Sequence, residues 1–333
     1  METKKTSAET EYSCPVCKGA LKENLNNFLC SSCGKNWKVQ NRIPLLFWKN
    51  EWEGKRDVTD EIKAFYEQSP FPNYDDLDSA ASLREKASKG IFARLLDEQL
   101  PYDAKILEAG CGTGQLSNFL ATTWGRAVIG ADLCLNSLKL AQEFKEKNSI
   151  DNAQFVQMNL FKPAFEPESF DVVISNGVLH HTSNPRLAFE TISKLVKRGG
   201  YIIIGLYNSY GRLQTDARRL LFKITNNRFT SVDPHLREKI SDRKKKAWFL
   251  DQYKNPHESK HTIDEILGWF DSGGFEFMNG IPKLVALDEF AENEELFTPH
   301  PKGTKMDHFL VQMKLVFTGG KEGGFFIMIG KKK

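Results

Sequence analysis

The sequence predicts an α/β fold built on a parallel sheet, with a small cysteine-held module ahead of it. Three observations carry this. Apolar strands and amphipathic helices alternate from residue 104 to 206, a glycine-spaced turn follows the first of those strands, and four cysteines stand in two close pairs near the start of the chain.

The 333 residues are enough for one large domain and a small one, or two medium domains. With 40% hydrophobic and 27% charged residues the composition is that of a globular protein. The longest greasy stretch, "RIPLLFW", falls well short of the roughly 20 residues a membrane helix needs. "METKKTSAETEYS" lacks the apolar core of an export signal, which predicts a cytoplasmic protein whose paired cysteines bind metal instead of forming disulfides. The net charge of +3 is unevenly spread: residues 207–262 hold 13 Lys and Arg against 6 Asp and Glu.

Cys14, Cys17, Cys30 and Cys33 form two C-x2-C knuckles. Four thiolates fill a tetrahedral zinc and leave no position for water, so the predicted site is structural. Gly19 and Gly34 are expected to supply the positive-φ turns after each knuckle. From "CPVCKG" to "IPLLF" the stretch resembles the zinc ribbon of the Trm112 family, a binding or docking module.

"AKILEAGCGTG" reads as a strand, a tight turn and a helix start. Gly110, Gly112 and Gly114 are spaced more closely than in the dinucleotide fingerprint, and Glu108 stands just before the turn. A carboxylate there repels a pyrophosphate and suits a ligand with an ammonium group and no phosphate, such as S-adenosylmethionine (SAM). A second strand, "AVIGAD", ends in Asp132, placed to accept hydrogen bonds from the hydroxyls of a ribose. Helix "LNSLKLAQEFKEK", strand "AQFVQM" with Asn159 just beyond, strand "FDVVIS", helix "RLAFETISKLVK" and strand "GGYIIIGLY" complete the series. In such sheets ligands bind beyond the carboxyl ends of the strands.

This block resembles the class I SAM-dependent methyltransferases of the type 11 group. The resemblance implies a Rossmann-like sheet, parallel with one antiparallel strand supplied by "GGFFIMIGKKK". It places Glu108, Gly110, Gly112 and Gly114 around the methionine part of SAM, Asp132 on the ribose and Asn159 beside the adenine, where the family more often has Asp. Cys111 and Cys134 read as small buried residues.

Methyl transfer from a sulfonium is an in-line displacement, so the protein positions the nucleophile and, where needed, takes its proton. No Pro-Cys dipeptide is present, which excludes the carbon-5 cytosine chemistry, and "SNGVLHH" stands where enzymes acting on exocyclic amines carry Asn-Pro-Pro-Tyr. His181 is a candidate base near the methyl group, whereas His180 reads as structural. Tyr66, Phe71 and Tyr74 are candidates for a lid over the cofactor.

"HESKH", residues 257–261, matches the H-E-x-x-H zinc-protease pattern, which needs both histidines on one helical face. Thr262 and Glu265 predict that the helix begins only at Ile263, and Pro256 disfavours helix before His257, so the protease reading fails. Tyr253, His257, Glu258 and His261, at the end of the basic insertion, remain candidates for substrate contact, the alternative being that they pin the insertion to the core.

The predicted organisation is a disordered tail at 1–12, a zinc ribbon at 13–48, a helical lid or linker at 49–99 and the catalytic domain at 100–331, with a basic helical insertion at 207–262. Ribbon and catalytic domain are each expected to have their own core. The leading function is methyl transfer to a small-molecule, lipid-linked or sugar-linked acceptor, of anionic character. The alternatives are an RNA methyltransferase gripping nucleic acid through ribbon and insertion, for example at Lys244, Lys245 and Lys246, and a non-catalytic SAM-binding adaptor.

Overall fold

The structure, a computed structural model, describes residues 11–52, 56–72, 74, 79–318 and 323–333. Most of the tail expected at 1–12 lies outside these residues. Tyr12, however, is buried between Phe28 and Phe165, so the ordered core starts before the first cysteine.

Four short strands form the ribbon: β1 (Leu21–Asn24), β2 (Asn27–Cys30), β3 (Asn36–Gln40) and β4 (Ile43–Leu46), each antiparallel to the next. At the first knuckle Lys18, not Gly19, takes the positive φ of 63°. Gly19 is needed for a different reason: a Cβ there would meet the Ser32 side chain. Gly34 does adopt φ 70°, as expected.

Helices α1 (Thr59–Gln68), α2 (Ala80–Ser88) and α3 (Ile91–Gln99) lead into the main sheet. There β5 (Lys105–Ala109), α4 (Gln115–Ala121), β6 (Ala127–Asp132), α5 (Leu135–Lys147), β7 (Ala153–Met158), β8 (Phe170–Asn176), α6 (Pro185–Ser193) and β9 (Val196–Tyr207) alternate. The order β7-β6-β5-β8-β9 is parallel throughout. Successive residues face opposite sides of a strand, so Leu107 joins one apolar cluster and Ile106 the other, and both faces are buried. Helix α6 ends at Ser193, earlier than its apolar pattern suggests, because Val196 already pairs with Phe170 in the sheet.

After β9 come α7 (Leu213–Ile224), α8 (Asp242–Phe249), a π-helical turn at Leu250–Lys254, α9 (Ile263–Gly273), β10 (Phe275–Ile281), α10 (Lys305–Thr318) and β11 (Phe325–Lys332). β11 runs antiparallel to both β9 and β10, as the resemblance implied. Thr262 caps α9 through the Glu265 amide, so the helix starts at Ile263 and "HESKH" lies outside it. His261 instead meets the Glu265 carboxylate through Nδ1 at 3.0 Å.

The ribbon does not keep a core of its own. β4 adds to the edge of the main sheet beside β7, pairing Leu45 with Gln157 and Leu46 with Met158. Tyr12, Phe28, Trp37 and Leu46 belong to the same apolar cluster as Leu107 and Ile129. A boundary drawn at residue 48 therefore cuts through a shared sheet and a shared core.

Candidate active site

A cavity of about 430 Å³ opens at the carboxyl ends of β5, β6, β7 and β8. One end is built by the glycine turn. Gly112 has φ 52°, and a Cβ there would lie 2.5 Å from the Phe71 carbonyl oxygen; Gly114 has φ 70°, and its Cβ would press on the Phe155 ring at 2.6 Å. Only glycine lets the chain turn here while α4 packs close to the sheet.

Glu108 and Asp132 flank that turn from adjacent strands. Asp132 accepts the Gly112 amide on Oδ2 and the Cys134 amide on Oδ1, each at 2.8 Å, and its carboxylate lines the cavity. Burial raises its carboxyl above the usual range, although those amides oppose the shift. Glu108, buried and bonded by Ser117 Oγ at 2.5 Å, is pushed up to about 8 by desolvation.

Asn159 lines the cavity, but its amide is spent. Nδ2 donates to the Trp48 carbonyl at 2.9 Å and to Asn50 Oδ1 at 2.8 Å, while Oδ1 accepts the Phe161 amide at 3.0 Å. The side chain ties the segment after the ribbon to the turn after β7 and is not free for a base edge. This also accounts for Asn here: an aspartate could not donate to two oxygens. Leu133, Met158, Leu160 and Phe161 form the apolar slot around it.

The other end is built by the insertion. The π-helical turn aims Asp251 and Gln252 into the cavity, and π-turns are frequent at functional sites. Asp251 accepts Tyr66 Oη on Oδ1 at 2.7 Å and Gln252 Nε2 on Oδ2 at 2.9 Å. Gln252 Nε2 also donates to Tyr207 Oη at 2.7 Å. Behind this layer Arg212, fully buried, forks onto both oxygens of Glu258 and stacks 3.7 Å over the Tyr207 ring. Burial alone would raise Glu258, yet the Arg212 guanidinium holds it below the ordinary carboxylate range.

The candidates from the sequence divide. His181 reaches the cavity wall, but Nδ1 points at the His257 carbonyl oxygen at 2.8 Å and Nε2 at His180 Nε2 at 3.1 Å. A carbonyl only accepts, so Nδ1 carries the proton and the lone pair on Nε2 is held by His180. Burial also lowers the His181 pKa. Its ring is a positioned wall and not a free base. Tyr253, His257 and Glu258 are absent from the described lining: Tyr253 Oη donates to Asp233 at 2.7 Å, Glu258 is locked to Arg212 and Arg219, and His257 offers its carbonyl to His181. Tyr66 and Phe71 do line the cavity, whereas Tyr74 donates to the Thr113 carbonyl at 2.8 Å and stacks on Phe144. Asp251 and Gln252 went unnoticed in the sequence, since helical phase read from α8 does not carry through a π-turn. So did Tyr207 and Trp248, which lie at the ends of β9 and α8 and meet the cavity only through tertiary packing. For Asp251 and Gln252 the one signal was proximity to Tyr253.

In the ribbon the four sulfurs lie within 4.8 Å of one another, with Cys14 and Cys33 3.8 Å apart and Cys17 and Cys30 3.5 Å apart. A tetrahedral site with metal–sulfur bonds of ~2.3 Å sets its sulfurs about 3.8 Å apart, so the cluster fits a metal ion.

Residues 107–204, spanning β5 to β9, match a family model described as a methyltransferase domain. Among curated proteins, an uncharacterized protein of Synechococcus sp. is 27% identical over 200 residues, 52% of this chain and 48% of its own length. A tRNA 5-carboxymethoxyuridine methyltransferase of Escherichia coli is 24% identical over 204 residues, 61% of this chain and 71% of its own length. This chain thus spans about half the length of the first of these relatives. Among solved structures, PKMT2 from Rickettsia typhi, in complex with AdoHcy, matches with a TM-score of 0.50 at 17% identity, covering 73% of this chain and 52% of the other. Residues 107–204 thus match a methyltransferase domain, the surrounding fold is shared with that structure, and a four-cysteine ribbon stands ahead of it.

Proposed function

We propose that this methyltransferase domain binds SAM in the cavity beyond β5 and β6 and passes its methyl group to a small acceptor held by the insertion. One observation carries the reading: two carboxylates on adjacent strands, Glu108 and Asp132, flank a glycine turn and open into one cavity whose far end is closed by residues 248–252. SAM, when bound, supplies an electrophilic methyl group on a sulfonium. Asp132 would take the ribose hydroxyls, Glu108 and the turn the methionine end, and the Leu133–Phe161 slot the adenine. Asn159 would contribute there through its backbone alone.

An anionic acceptor fits poorly. Asp251 lines the acceptor end of the cavity, and among the described residues no Lys or Arg lines it. The positive charge of the insertion faces elsewhere or is paired, as at Arg212. In the ribbon, the four cysteines would hold one structural zinc and brace the edge strand β4. None of the six cysteines is in a disulfide. Among the described residues no helix is long and apolar enough to cross a membrane.

Calorimetry with SAM and its demethylated product, with metal analysis of protein purified without chelator, tests this. One SAM site and one zinc per chain are expected; no SAM binding would overturn the reading. The RNA reading keeps one specific support, the basic excess of residues 207–262. Incubation with labelled SAM and a cell extract separates three outcomes: label in small molecules, label in RNA, or no transfer despite binding, which is the adaptor.

A further inference from the structure

We infer that the far end of the cavity is a recognition site for an amine, with Asp251 as the residue that selects it. The inference rests on the SAM reading above and concerns what lies opposite the methyl group.

Asp251 is 6% exposed, and each of its oxygens receives one neutral donor, Tyr66 Oη and Gln252 Nε2. Tyr66 Oη is itself held by Asn255 Nδ2 at 3.0 Å, so its proton stays directed at the carboxylate. No cation is paired with Asp251 among the described residues. The charged neighbours act on it only through space: Arg212 is forked onto Glu258 and bonded to Gln252, Arg219 reaches the same carboxylate, and His181 spends its Nδ1 proton on a carbonyl. A buried carboxylate with only neutral donors is costly unless a positive partner arrives. The walls beside it, Tyr66, Tyr207, Trp248 and Phe325, are aromatic, and ring faces attract cations.

That arrangement matches one reaction type. An alkylamine arrives as its ammonium, which pairs with Asp251. Once one proton passes to that carboxylate or to water, the nitrogen lone pair forms the N–C bond as the C–S bond breaks, the bonding electrons staying on sulfur. Positive charge thereby moves from sulfur to nitrogen, and the product is an alkylammonium that keeps its own proton. A fixed carboxylate near the nitrogen is complementary both to the arriving ammonium, which sets the binding preference, and to the positive charge that returns to nitrogen as the bond forms. An alcohol would need a base stronger than a hydrogen-bonded carboxylate, and an acid would be repelled by Asp251.

The test titrates the SAH-loaded full chain with matched trios on aryl and alkyl skeletons: 2-phenylethylamine, 2-phenylethanol and phenylacetate, and butylamine, butanol and butyrate. Binding is read by calorimetry and ligand-observed NMR. Amines are expected to bind at least about tenfold more tightly than their partners, and Asp251→Asn to abolish that preference with SAH affinity unchanged, as loss of a charged hydrogen bond requires. Asp251→Glu, which keeps the charge, should retain the preference, and intact SAH binding reports that each variant is folded. Equal binding of alcohol or carboxylate, or an amine preference surviving in Asp251→Asn, overturns the inference. Failure of the parent protein to bind SAH overturns the SAM reading instead.

Discussion

The two ends of the cavity are made in opposite ways. The cofactor end consists of strand tips and one turn, where Glu108, Gly110, Gly112, Gly114 and Asp132 fall within 25 residues and each owes its position to its own strand. The acceptor end is assembled from parts that are far apart in the chain: Tyr66 meets Asp251 across 185 positions, and Arg212 meets Glu258 across 46. The first end carries unfilled acceptor capacity on a rigid sheet. The second is a closed network in which nearly every polar atom already has a partner. Damage to the second should therefore spread, whereas damage to the first should stay local.

The largest effect is expected from Arg212→Met. It strands the Glu258 carboxylate in the interior, and breaking a buried pair from one side costs about 3–5 kcal/mol. Urea unfolding measures it; a cost within experimental error would show that the insertion does not depend on this pair. Asp132→Ala attacks the other end. It should weaken SAM binding by roughly 1.5–3 kcal/mol while stability changes less, and unchanged affinity by calorimetry would remove Asp132 from the ribose.

Glu108 gives a pH test of the cofactor end. Its folded pKa, raised to about 8 by burial, lies above the ordinary value of 4.5. The folded state then holds a proton that the unfolded state has lost, so this contribution is fully present below about pH 4.5 and declines as pH rises towards 8. The local slope approaches about 1.4 kcal/mol per pH unit. In Glu108→Gln the slope between pH 5 and 8 should flatten; identical slopes in the two proteins would contradict the burial argument. The smallest effect is expected from neutralising Lys244, Lys245 and Lys246 on α8 together. Lys246 is exposed and Lys244 and Lys245 are half-buried at the surface, so each change should alter stability by about 0.5 kcal/mol or less. Loss of salt-sensitive RNA binding in that triple Lys→Gln variant would instead restore the RNA reading.

Much of the end proposed for the cofactor was legible as structure because its signals are local. A run of alternating strands and helices, glycines at fixed short spacing and an acid at a strand end all express backbone constraints acting within a few residues. The reach of α9 was legible for the same reason, since Thr262 caps it through an amide three residues on. Asn159 shows where that reasoning stops. Its position beyond β7 was evident, but its partners, Trp48 and Asn50, lie more than 100 residues away, and they leave its side chain no hydrogen bond to give. His181 is similar: it reaches the wall as expected, and only its contacts with His180 and His257 reveal that its lone pair is taken.

What the sequence determined by itself is the alternating fold, the order of the strands that bear the glycine turn and the two acids, and the four-thiolate cluster, because local spacing and turn geometry suffice to specify them. Tertiary structure decided three further things. The ribbon's last strand joins the main sheet and shares its core. Tyr253 and Glu258 face into packing, and Asp251 faces the cavity. These depend on which distant surfaces meet, and a π-turn or an added edge strand alters what a side chain faces without leaving any mark on the spacing of residues along the chain.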